Sequence, residues 1–221
     1  MKSLPSSSGP PRDEARRYLW YDTTNRMRVA AGRQRVPLIG AFELTARCNL
    51  GCRMCLVRRD AGDREAAARE PPAEAWIDMA AQARDRGLLF LLLTGGEPLL
   101  RPDFWRIYEA LSRMGFVLTL YTNGTLVGAP EAGRFGRTPP GRVLVTLYGA
   151  SPETYEAVCG SAAAFDRAVA GVRRLKAAGV HVQVRATICR ENARDLDAMD
   201  ALARDLTGRE RIETSMMLSP P

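Results

Sequence analysis

Three times along the chain an apolar stripe of helical period runs out at a glycine and gives way to a solidly apolar segment. Residues Ala73 to Arg86 close at Gly87 and lead into LLFLLLTGG, and Pro102 to Met114 close at Gly115 and lead into FVLTLYTNG. Phe165 to Ala178 close at Gly179 and lead into VHVQVRATI. Phe104, Ile107, Tyr108 and Leu111 fall on one side of a 3.6-residue helix, as do Phe165, Val169, Val172 and Leu175. Glycine suits the left-handed position just past a helix end. Ser151-Pro152-Glu153, and Asn192 with Asp195 three residues on, mark two further helix starts. Six strands are predicted at about 38–45, 88–94, 116–122, 142–148, 181–188 and 211–218, alternating with five helical regions. The stretch after Asn123, rich in Gly and Pro, makes the poorest of the helices.

Apolar strands alternating with helices predict a parallel sheet with right-handed crossovers. Six such units give an α/β fold of the partial (β/α)6 barrel kind, short at its C-terminal end, with chemistry in the loops that follow the strands. Residues 37–221 form this core domain. Residues 1–36 form a separate opening, Ser/Pro/Gly-rich and expected to be disordered up to residue 14, then a short helical segment from Ala15 to Gly32.

Apolar content of 46% and charged content of 26% are ordinary for a globular chain. The longest apolar run, Leu88 to Leu93, is too short to cross a bilayer, and the first residues lack the apolar stretch of a signal peptide. A cytoplasmic location without membrane attachment is therefore expected. The net charge of +7 is almost all arginine, with Lys only at positions 2 and 176. It is spread along the chain without interleaved aromatics, which argues against a nucleic-acid groove. The single histidine, His181, stands in an alternating strand pattern, which leaves little room for His-based catalysis.

Three of the five cysteines crowd into Cys48-Asn49-Leu50-Gly51-Cys52-Arg53-Met54-Cys55, directly after the first strand. Thiolates at C-x3-C-x2-C spacing suit an iron–sulfur cubane, with one iron left free to bind a small molecule. Structural zinc is the alternative, but it wants a fourth ligand and usually a second paired knuckle. The second strand ends in Gly95-Gly96-Glu97-Pro98, where two glycines let backbone approach a ligand and Glu97 adds a negative charge. A tight turn into a helix would look alike.

Taken together, these two motifs, their order and their spacing resemble the radical S-adenosylmethionine (SAM) superfamily. The likeness continues through Thr122-Asn123-Gly124-Thr125 and Val145 to Tyr155, covers roughly residues 38–218, and is most similar to the branch of SPASM-type peptide- and protein-modifying and cofactor-maturation enzymes. The resemblance implies one [4Fe–4S] cluster on Cys48, Cys52 and Cys55, with SAM chelating the open iron. It implies that Gly95, Gly96, Glu97 and Pro98 hold the SAM amino group, that Thr146 meets the ribose, that Arg185 meets the carboxylate, and that Asn123 lines the pocket.

The activity so implied is reductive cleavage of SAM to a 5′-deoxyadenosyl radical, which takes hydrogen from a peptide or protein substrate. Its electron would come from a flavodoxin or ferredoxin, and a second chain could complete the barrel. A cluster-binding partner subunit without turnover is the alternative. Two departures from the family pattern stand out. Met54 replaces the usual aromatic residue before the third cysteine, and the chain stops after the sixth strand without a Cys-rich extension, so no auxiliary clusters are expected. Cys159 and Cys189 are then expected to be inert thiols.

Overall fold

In the computed structural model, which describes residues 12–209 and 211–216, the chain divides into two compact units, one up to Leu38 and one from Ile39 onward. The first unit carries α1 (Arg12–Arg33), 22 residues long where a short segment was expected. Its sequence is rich in good helix formers but has no apolar stripe, so periodicity could not give its length. It takes in residues 12–14, which were expected to be disordered; the remainder of that stretch lies outside the described residues.

The second unit opens with β1 (Ile39–Glu43), then a parallel pair of two-residue strands, β2 (Arg47–Cys48) and β3 (Arg59–Asp60), and the single-turn helix α2 (Arg64–Ala68). There follow α3 (Ala73–Asp85), β4 (Phe90–Thr94), α4 (Phe104–Arg113), β5 (Val117–Thr122), α5 (Ala129–Arg137) and β6 (Arg142–Thr146). It ends with α6 (Pro152–Cys159), α7 (Ala163–Ala177), β7 (Val182–Ile188), α8 (Leu196–Thr207) and β8 (Glu213–Met216). The six predicted strands form one sheet in the order β1-β4-β5-β6-β7-β8, every neighbour parallel. The last strand was expected to reach 218, and its final two residues lie outside the described residues.

Register sorts the strand side chains into two faces. Phe42, Leu93, Leu120, Val143 and Val182 align across neighbouring strands and are buried, with Leu91, Leu118, Val145 and Val184 beside them. Removing each such side chain from water contributes about 1.5–3 kcal/mol. The helices close over this layer with the stripes that their periodicity announces. Phe104, Ile107, Tyr108 and Leu111 of α4 are buried, as are Val172 and Leu175 of α7. Gly87, Gly115 and Gly179 take the left-handed φ values (99°, 85° and 77°) that end α3, α4 and α7.

The Gly- and Pro-rich stretch does make a helix. Pro130 sits in the first turn of α5, the Glu131 carboxylate accepts from the Gly128 N–H at 2.9 Å, and Phe135 is buried against Trp105 and Tyr108. Among the described residues no helix is long and apolar enough to cross a membrane.

Candidate active site

The loops after β1 and β4 are laced together by their backbones. Leu44 N–H donates to Thr94 O (2.8 Å), Gly96 N–H to Thr45 O (2.6 Å) and Glu97 N–H to Arg47 O (2.8 Å), which carries the strand pairing beyond the strands. This contact admits no side chain at either glycine. A Cβ on Gly95 would stand 2.2 Å from Thr45 O, and one on Gly96 2.2 Å from Arg47 O; Gly95 also has φ of 138°. The double glycine therefore sets its own backbone beside the residue preceding Cys48.

Cys48, Cys52 and Cys55 line one cavity of about 290 Å³ together with Gly95, Gly96, Asn123, Thr146 and Arg185. Eight of the ten residues named from the sequence thus meet at one place, at the C-terminal ends of the strands. Glu97 and Pro98 do not line it. Tyr121, Tyr148, Arg58 and Thr187 do, and sequence reasoning missed all four: nothing in a strand pattern distinguishes an inward Tyr or Thr from any other.

The three thiols differ in setting: Cys48 is half-buried, Cys52 buried and Cys55 exposed. Burial pushes the Cys48 thiol up to about 11. Cys52 is pushed up further, first by its hydrogen bond to Cys159 and then by burial. Cys159 had been expected to be inert; it is buried, but it abuts a proposed ligand, and its carbonyl accepts from Gly51 N–H at 2.9 Å. Cys189 does not line the cavity. Among the described residues no three His, Cys, Asp or Glu side chains converge tightly enough to hold a single metal ion. The cavity instead presents three thiols around a volume larger than one ion, beside glycine backbone. That donor set fits a cubane with one iron left for a chelating ligand.

Glu97 lies behind this wall, fully buried. Its carboxylate accepts from Thr122 Oγ1 (2.9 and 3.0 Å), Asn123 N–H (2.8 Å) and Leu99 N–H (3.1 Å). Burial raises its pKa to about 7, with the bonds from Asn123, Leu99 and Thr122 opposing. Glu97 thus braces the loop after β5 from beneath, and Pro98 opens the short 3-10 turn 98–100 that it caps. Asn123 is more than a turn residue: its side-chain amide donates to Asn49 Oδ1 (2.9 Å) and faces Cys48 Sγ (3.7 Å), while its oxygen accepts from Thr125. Thr146 and Arg185 are register partners on β6 and β7. The Arg185 guanidinium lies 4.8 Å over the Tyr121 ring and within 3.5 Å of Ser215 Oγ.

A family model described as the radical SAM superfamily matches residues 42–203. The chain belongs to the radical SAM superfamily. It is 34% identical over 173 residues to the AdoMet-dependent heme synthase of Methanosarcina barkeri (77% of this chain, 48% of that protein). It is 34% identical over 187 residues to the PqqA peptide cyclase of Streptomyces rochei (80% and 49%). With the mycofactocin maturase of Mycobacterium tuberculosis it shares 32% over 171 residues (76% and 42%). This radical SAM chain spans about half the length of the curated relatives it matches. Among solved structures, Streptococcus suis SuiB bound to S-adenosylmethionine superposes with a TM-score of 0.69 at 16% identity, over 98% of this chain and 47% of that one. That likeness bears out the expected fold.

Proposed function

We propose that this chain is the cofactor-bearing core of a radical SAM enzyme that modifies a peptide or protein. The observation that carries the proposal is the single cavity shared by three cysteine thiols and the Gly95–Gly96 backbone. In this reading Cys48, Cys52 and Cys55 hold three irons of one [4Fe–4S] cluster. When bound, the cluster and SAM would supply one-electron chemistry and hydrogen abstraction from a substrate, which the chain's own residues only position and shield.

The chain's own residues then bind and orient. Gly95 and Gly96 offer backbone to the SAM ammonium, Thr146 meets the ribose, and Arg185, steadied on Tyr121, meets the carboxylate. Asn123 directs its amide at Cys48, and Glu97 holds Asn123 in place from behind. Loading must deprotonate Cys48 and Cys52, whose thiols their surroundings push up, so it releases protons and strengthens as pH rises. A peptide substrate is supported by the names of relatives that act on peptides, PqqA peptide cyclase and SuiB with its precursor peptide SuiA. A flavodoxin or ferredoxin would supply the electron.

Anaerobic reconstitution with iron and sulfide tests the site. Iron and sulfide should match one cubane per chain, and Cys48→Ser, Cys52→Ser and Cys55→Ser should each abolish it. Stoichiometric zinc in place of iron, or loading indifferent to these three changes, would refute the assignment.

A further inference from the structure

We propose that Glu70 is a positioning residue that fixes the cysteine-bearing loop against the Gly-Gly-Glu-Pro loop and so sets where Cys48 stands relative to Gly95 and Gly96. The proposal rests on the cofactor site just described and adds a residue that touches neither cofactor. Glu70 lies just beyond α2. Its carboxylate receives a fork from Arg47, Nε to Oε1 at 2.8 Å and Nη2 to Oε2 at 3.0 Å, and a further bond from Thr45 Oγ1. Thr45 and Arg47 are the two residues whose carbonyls accept the Gly96 and Glu97 N–H groups. Glu70 therefore grips by their side chains the pair that grips Gly96 and Glu97 by their backbone N–H groups.

The same carboxylate meets Arg101 Nη1 at 3.5 Å. Arg101 follows the Gly-Gly-Glu-Pro turn and is 5% exposed. It donates to Leu44 O (2.8 Å) and Pro71 O (2.9 Å) and forks onto Asp103 at 2.9 and 2.8 Å. Arg47 Nη1 also reaches Ala61 O at 3.3 Å, just past β3, so one side chain ties both ends of the loop that carries the three cysteines. Two arginines thus balance two carboxylates, and among the described residues Glu70 is the carboxylate that touches both arginines. Sequestered ion pairs are a costly source of stability, since desolvation offsets most of the attraction. They do impose direction, and a site that must place three thiols and a chelating ligand needs direction.

Glu70→Gln keeps the shape but loses the charge, and Arg47→Lys keeps the charge but loses the fork. Both variants, the double variant and the wild-type full chain would be reconstituted. Three quantities would be read: the melting temperature of the metal-free protein, iron per chain, and the EPR spectrum of the dithionite-reduced cluster as SAM is titrated in. The expected result is a SAM affinity weaker on the order of tenfold in each single variant, an altered SAM-bound spectrum, and a double variant no worse than the singles. Variants that melt earlier yet keep the wild-type SAM-bound spectrum and affinity would reduce Glu70 to a structural residue and overturn the proposal. If Glu70→Gln fails to fold, Arg47→Lys decides by the same spectrum. A wild type whose cluster ignores SAM would instead overturn the cofactor site itself, and this proposal with it.

Discussion

At the scale of single residues, Glu97 shows how position changes a role. Its motif was legible, but its partners were not, because Thr122 and Asn123 come from the next strand and only the folded register brings them beneath it. A buried carboxyl whose pKa is raised to about 7 binds a proton more tightly folded than unfolded. Its contribution is complete below the ordinary carboxylate pKa and is lost as pH rises through about 7. The stability of the metal-free wild type, measured by denaturant melts, should therefore fall relative to Glu97→Gln between about pH 4.5 and 7, by about 3 kcal/mol in all. A difference independent of pH would show that folding does not raise the Glu97 pKa. Thr122→Val removes the hydroxyl that reaches both carboxylate oxygens. It should cost about 1–3 kcal/mol and extend the upper end of that window to higher pH.

Among the elements, periodicity worked where a helix covers the sheet. The stripes of α4 and α7 and the glycine stops named their own burial, whereas α1 has no stripe to read and α5 had to be recognised through its cap. Asn192 marked a helix start for a reason the structure replaces. Rather than capping, its buried side chain bonds the carbonyls of Tyr148 and Thr187 (3.1 and 3.0 Å), while Asp195 accepts from Thr154 across the loops. These are contacts between distant segments, invisible to local patterns. Leu111→Ala, in the well-read α4, should destabilise the protein by about 2–5 kcal/mol in a denaturant melt. Gly96→Ala should do something different. Its methyl cannot fit beside the Arg47 carbonyl, so the two loops must part. Reconstituted iron should fall severalfold while the far-UV circular dichroism stays that of an α/β protein.

For the molecule as a whole, the six-strand parallel order brings to one end of the sheet residues spread from Cys48 to Thr187. The cysteine spacing and the Gly-Gly-Glu-Pro motif made that site readable from sequence. The brace formed by Thr45, Arg47, Glu70 and Arg101 was not, since an Arg or Glu in a charged chain carries no sign of its partner. Cleavage of SAM at this site is the activity proposed. Reconstituted protein given SAM and dithionite under anaerobic conditions should form 5′-deoxyadenosine, and a Cys52→Ala variant treated alike should form none. Cluster-loaded protein that yields no more 5′-deoxyadenosine than that variant would show that the site does not cleave SAM.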